Sequence, residues 1–147
     1  MPIHLLVVDD EEQIRDMLSR HFRYLGFDVQ TAENGQDALD KMSQWKTDIV
    51  ISDIRMPVMD GAELCKRIRT DYPMTRVIMI TGYVTLENAL ACMRRGADRC
   101  IFKPIEDLTE LESAVNKSVE TVSYWLDVLK ELAGKKEAMN GGGQAHE

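Results

Sequence analysis

Five times along this chain a short apolar run is followed by a longer stretch with helical spacing, and that alternation restricts the fold more than any other feature. "IHLLVV" (3–8) reads as a strand, and the stretch over 12–25 then carries Ile14, Met17, Leu18, Phe22 and Leu25 at helical spacing, closed by Gly26. "FDVQTA" (27–32) alternates as a second strand before a helix over 34–45. "DIVISDI" (48–54) and "RVIMIT" (76–81) have too few polar positions to be exposed on either face, and each is followed by a helical pattern, over 60–72 and 86–96. "RCIF" (99–102) is the last strand. Strands joined through helices of this length run parallel, because each crossover returns the chain to the same sheet edge. The expected fold is therefore an α/β, doubly wound, five-stranded parallel sheet covered on both faces. Ligands of such a sheet bind outside the carboxyl ends of the strands.

From residue 105 the pattern changes to one long helix, predicted over 105–138, before "GGG" (141–143) is expected to break it. Leu108, Leu111, Val115, Ser118, Val122, Trp125, Leu129 and Leu132 recur at three and four residues along it. The first part can pack on the sheet. Beyond about residue 122 the helix outruns a domain of this size at ~1.5 Å per residue. The expected division is a domain over 1–121 and an extended C-terminal helix with a glycine-rich tail over 122–147, whose apolar stripe a homodimer would cover.

A net charge of −7 argues against broad binding to nucleic acid or anionic membranes, and no apolar run approaches the ~20 residues that span a bilayer. Cys65, Cys92 and Cys100 are odd in number and form no C-x-x-C pair. With no secretory leader at Met1, reduced thiols in a cytoplasm are expected.

Polar residues then fall at successive strand ends. Asp9 and Asp10 follow the first strand, Asp53 ends the third, Thr81 the fourth, and Lys103 the fifth. Each has a structural explanation when taken singly. Acids at a helix start complement its dipole, a threonine before Gly82 suits a turn, and Lys-Pro is common at loop starts. Those explanations leave unaddressed why four strand ends carry such groups together. Clustered carboxylates without nearby His or Cys offer hard oxygen ligands, which suit Mg²⁺ rather than zinc. A carboxylate beside that ion can attack phosphorus to give an aspartyl-phosphate, with Lys103 and Thr81 contacting phosphoryl oxygens.

"VVDDEE", "DIVISDIRMPVMDG", "ITGY" and "GADRCIFKP" closely resemble the receiver domain of bacterial two-component response regulators, over about residues 3–120. The resemblance implies the flavodoxin-like strand order 2-1-3-4-5. It implies that Asp53 accepts a phosphoryl group from a sensor histidine kinase or phosphotransfer protein and that the domain then switches conformation to control a partner or output domain. It further implies that Asp10 ligates Mg²⁺ directly, Asp9 largely through water, Asp53 as phosphoacceptor and Arg55 through its backbone carbonyl, with Thr81 and Lys103 on the phosphoryl group. Receivers usually have a cis bond at the position of Lys103–Pro104. Arg55 and Tyr83, both bulky, occupy the two positions that flank the path of hydrolytic water, so a long-lived phosphate is expected. One residue departs from the pattern: Cys100 stands where receivers usually carry Tyr or Phe three residues before the lysine.

Other classes fit less well. An aspartate-nucleophile phosphatase needs a second acid two residues after the nucleophile, and position 55 is Arg. No enzymatic activity beyond the domain's own phosphorylation and dephosphorylation is expected. A degenerate receiver serving as a phosphorylation-independent binding module would have lost an Asp, Thr or Lys, and none is lost. A flavin carrier is opposed by "DDEE", which would repel the cofactor phosphate. With no recognisable DNA-binding domain in the sequence, direct nucleic-acid binding by this chain is not expected.

Overall fold

The computed structural model describes residues 2–82, 85–103, 105 and 107–145, with side chains as far as Lys136. The strands are β1 (His4–Val8), β2 (Asp28–Ala32), β3 (Ile49–Asp53), β4 (Arg76–Thr81) and β5 (Arg99–Phe102). Between and after them run α1 (Glu12–Tyr24), α2 (Gly35–Met42), α3 (Gly61–Asp71), α4 (Leu86–Arg95) and α5 (Thr109–Ala145). All strand pairs are parallel, in the order β2-β1-β3-β4-β5. The expected sheet, its order and its extended final helix are all present.

The period of two along each strand sorts side chains between two cores. Leu5 and Val7, Ile49 and Ile51, Ile78 and Ile80, and Ile101 face α1 and α5, where Leu18, Phe22, Leu111 and Val115 meet them. Leu6 and Val8, Val50, Val77 and Met79 face the other way, onto Ala38, Met42, Leu64, Ile68 and Cys92 of α2, α3 and α4. A one-residue slip of any central strand would exchange these two sets, so the register is strongly specified.

Side-chain caps set several helix starts. Asn34 accepts from the Asp37 amide, Asp60 from Glu63 and Thr85 from Asn88. The last helix starts at Thr109 rather than at the expected residue 105, because Asp107 Oδ1 accepts both the Thr109 amide (2.9 Å) and its hydroxyl (2.6 Å). It also continues to Ala145 instead of breaking at Gly141. No proline interrupts the backbone ladder there, and glycine lowers helix propensity by only about 1 kcal/mol per residue. The second helix ends at Met42, short of the expected residue 45, and Trp45 turns back to meet the His4 ring edge-on at 5.0 Å.

Gly61 is the tightest point of the β3–α3 connection. A Cβ there would lie 2.1 Å from the Asp53 carbonyl oxygen and 2.5 Å from Met79 Cε. Gly26 differs: its φ of +97° favours glycine, yet nothing lies within 4 Å of an added Cβ. Gly61→Ala is expected to destabilise by about 3 kcal/mol through forced displacement of β3 backbone. Gly26→Ala should cost roughly 1–2 kcal/mol of backbone strain alone. Urea unfolding separates them, and equal losses would refute steric contact as the cause at Gly61.

Candidate functional site

Four strand ends assemble the site, and the register fixes their spacing. Val8 pairs with Ser52 and Asp53 with Ile80, so the residues following β1 lie beside the end of β3. Thr81 pairs with Phe102, and the Lys103 amide donates to the Thr81 carbonyl at 2.8 Å. Lys103 is thereby directed back across the edge of the sheet. Its Nζ lies 3.0 Å from Asp53 Oδ2, 3.1 Å from Asp9 Oδ2 and 3.4 Å from Glu11 Oε1.

Both acids are also held by backbone. Asp9 is fully buried, its Oδ1 accepts the Glu11 amide at 2.9 Å, and its carbonyl accepts Arg15 Nη1 at 2.6 Å. Asp53 Oδ1 accepts the Ile54 amide at 2.7 Å. Asp10 is exposed, and one carboxylate oxygen from each of Asp9, Asp10, Glu11 and Asp53 lies within 4.8 Å of the others. This donor set is oxygen only, it carries excess negative charge, and Asp10 leaves it open to water. Those properties fit a hard divalent cation that keeps part of its hydration shell.

Of the residues expected from the sequence, Asp9, Asp53 and Lys103 are in direct contact, and Asp10 joins their carboxylate cluster. Thr81 is buried at the end of β4. Arg55 is exposed and lines a cavity of about 410 Å³ with Asp10, Pro57, Asp60 and Asn88, which forms the mouth of the site. Tyr83 and Pro104 lie outside the described residues. Sequence reasoning did not assign Glu11 to the lysine, nor Asn88 of α4 to the rim. The i, i+2 turn from Asp9 to Glu11 was the available sign for Glu11; Asn88 reaches the rim by tertiary packing and had none. Cys100 is half-buried and packs against the core that contains Cys65 and Cys92, the plain packing role the sequence allows it.

The electrostatics of the pair are unequal. Burial pushes the Asp9 carboxyl above its ordinary 3.8, opposed by the Glu11 amide and the charge of Lys103 and reinforced by Asp53. Burial would lower Lys103, but the Asp53 hydrogen bond and the charge of Asp9 outweigh it and raise the ammonium above 10.5. One lysine shared between two carboxylates is held charged by both, while fully buried Asp9 receives only part of its field. Lys103 therefore contributes stability that is present below pH 10.5 and lost as pH rises through its raised value. Asp9 acts in the opposite sense, its ionisation subtracting stability as pH rises from 3.8 through its own raised value.

A family model described as the response regulator receiver domain matches residues 5–116. The regulatory protein AtoC of Escherichia coli (strain K12) is 40% identical over 119 residues, which are 81% of this chain and 26% of AtoC. The chain thus spans about a quarter of that curated relative's length. A CheY-like response regulator receiver domain protein from Methanospirillum hungatei JF-1 superposes with a TM-score of 0.78 at 30% identity, over 84% of this chain and 99% of that one. The response regulator protein TrrA from Thermotoga maritima, solved in complex with Mg(2+)-BeF, does so with a TM-score of 0.71 at 34% identity, over 79% and 98%.

The acid excess predicts that function here opposes stability. At pH 7 with a chelator present, Asp9→Asn should raise the urea midpoint, since the amide keeps the Glu11 hydrogen bond without the buried charge. Millimolar Mg²⁺ should stabilise the wild type more than the variant, which keeps the other carboxylates of the cluster but has lost one negative charge. A variant less stable than wild type in chelator would show that Asp9 is a net stabilising partner of Lys103.

Proposed function

The chain belongs to the response regulator receiver domain family, and from that premise we propose that Asp53 is its phosphoacceptor, loaded by a sensor histidine kinase or phosphotransfer protein in the cytoplasm. The observation that carries this reading is the single lysine shared by Asp53 and Asp9 inside a cluster of four carboxylates. In the proposed step an Asp53 oxygen forms the O–P bond as the P–N bond of a phosphohistidine breaks, the electron pair leaving on the histidine nitrogen. Asp53 is pre-oriented for attack because the Ile54 amide fixes one carboxylate oxygen. Lys103 then exchanges a carboxylate contact for a phosphoryl oxygen, and the Thr81 hydroxyl donates to another.

The proposed metal is Mg²⁺, with Asp10 and Asp53 as direct ligands, Asp9 acting largely through water, and the Arg55 backbone carbonyl completing the protein's share. When bound, it supplies positive charge against the phosphoryl oxygens. The likeness to TrrA, solved with Mg(2+)-BeF, supports that choice. The alternative, a phosphorylation-independent binding module, is disfavoured because Asp53, Thr81 and Lys103 are all in place. Incubation with a small acyl phosphate and Mg²⁺ should add one phosphoryl group to the intact mass, and Asp53→Asn should abolish the gain. Equal labelling of both proteins would remove Asp53 from the role.

We further take residues 1–121 as the receiver and 122–147 as a helical extension with a glycine-rich tail, and assign to the part of α5 that follows Thr121 the surface through which two copies associate. Val122 is buried, whereas Trp125, Leu126, Leu129 and Leu132 continue the same stripe with 46%, 37%, 48% and 55% of their surface exposed. An apolar stripe on an unsupported helix is costly in water, and a second copy would cover it. No helix among the described residues is long and apolar enough to cross a membrane instead. In sedimentation, the full chain should dimerise at tens of micromolar and a chain truncated after Thr121 should not, corresponding to a Kd of ~1 μM or about −8 kcal/mol. Trp125→Ala with Leu129→Ala should return the full chain to monomer; a full chain that stays monomeric rejects the dimer.

A further inference from the structure

A cavity of about 410 Å³ opens beneath the amino ends of β3 and β4, at the edge of the sheet opposite to the carboxylate cluster. Its apolar walls are Met42 from the end of α2, Tyr72, Pro73 and Met74 from the α3–β4 connection, and Val122 and Leu126 from α5. The buried polar groups beside them are already engaged. The Thr75 hydroxyl donates to the Thr47 carbonyl at 2.8 Å, the Thr47 hydroxyl donates to the Trp45 carbonyl at 3.2 Å, and Asp48 accepts the His4 amide at 2.9 Å. Exposed Lys46 and Asp71 stand at the rim. What the interior offers to an occupant is therefore apolar surface. α5 stays helical to Ala145, so no described residue beyond Leu126 turns back to fill the space.

We propose that this cavity is a docking site for a second copy of the chain and that it takes the partner's Trp125, a proposal that rests on the dimer reading above. At 3.6 residues per turn, Val122, Trp125, Leu126 and Leu129 share one face of α5. The face that closes the cavity at Val122 and Leu126 is thus the one that runs on, half-exposed, along the free part of the helix. A second helix laid along that stripe meets the cavity at its upper end. In a parallel pair equal residues lie at equal height, so the partner's Trp125 stands level with Leu126 at the cavity's margin. Packed helices lie ~8–10 Å apart, a gap that an indole can cross. Large aromatic side chains seated in pockets are the common anchors of protein interfaces. In a two-fold pair the contact is made twice, each Trp125 entering the other copy's cavity. It joins the helical extension of one copy to the start of β3 and β4 in the other, the strands whose far ends carry Asp53 and Thr81.

Met74 is the position to test, because it lines the cavity without belonging to α5. In sedimentation of the full chain, Met74→Glu puts a charge in the cavity and Met74→Trp fills it. Each should raise the dimer Kd roughly tenfold or more while the far-UV circular dichroism spectrum stays native. Both substitutions leave every residue of α5 in place, so a helix pair that ignores the cavity would not respond. In a Leu129→Cys chain, mild oxidation should join the two copies through position 129, as equal heights require. A dimer indifferent to both Met74 substitutions keeps the association and overturns the docking. A dimer that gives no cross-link at position 129 lacks the parallel order and overturns it as well. A native mass spectrum with a small apolar molecule on the monomer, lost in Met74→Trp, gives the cavity to another occupant. A full chain that stays monomeric at tens of micromolar removes the dimer reading and the docking together.

Discussion

The Lys103 ammonium is the interaction on which the edge of this sheet depends. It is mostly buried, lies within 3.4 Å of three carboxylates, and is the positive charge that the described ion pairs place among four clustered acids. Burying an ion without a partner costs several kcal/mol, and Lys103 is the cation that partners the buried carboxylates of Asp9 and Asp53. The balance is incomplete, however, and Asp9 records it in a carboxyl raised by burial despite the lysine beside it. A site built this way holds its acids in place while retaining an appetite for further positive charge.

The backbone around the cluster is built to bring these groups together and leaves little freedom to relax. Gly61 abuts the Asp53 carbonyl, and its amide donates to the Ile54 carbonyl at 2.7 Å, so the start of α3 clamps the end of β3. In the intervening loop Val58 adopts a φ of +69°, unusual for a β-branched residue, and strain of this kind persists where surrounding contacts over-determine the chain. The loop that carries Arg55 is therefore held from both ends.

The sequence makes the sheet legible because both of its faces are buried. A run such as Val77 to Ile80 has no solvated face to alternate with, and the long helical intervals between such runs leave parallel crossover as the consistent connection. The same reasoning places Asp9, Asp10, Asp53, Thr81 and Lys103 at one edge, since parallel strands all present their carboxyl ends on the same side of the sheet. What stayed hidden depends on side-chain reach and local caps. Glu11 pairs with a lysine 92 residues away, Asn88 reaches the rim from a different helix, and Asp107 shifts the start of α5 through a hydrogen bond that propensity does not register.

The opposite edge of the sheet provides the internal control for reading the acid cluster as a site. There too acids stand at strand ends, but Asp48 and Asp98 are each met by a basic side chain close by in the sheet edge. Asp48 accepts the His4 amide at 2.9 Å and lies 3.9 Å from Lys46; Asp98 accepts the Val77 amide at 2.7 Å and Arg76 Nη1 at 3.3 Å. Those pairs join neighbouring segments and give each of these two acids a cation of its own. At the carboxyl edge three acids share the ammonium of Lys103 and Asp10 stands among them, an arrangement that a purely structural role would not require. The same fold thus balances charge where it only has to hold strands together and leaves it unbalanced where the strand ends open to solvent. That asymmetry, more than the presence of acids as such, separates a built cation and phosphoryl site from ordinary helix-start carboxylates.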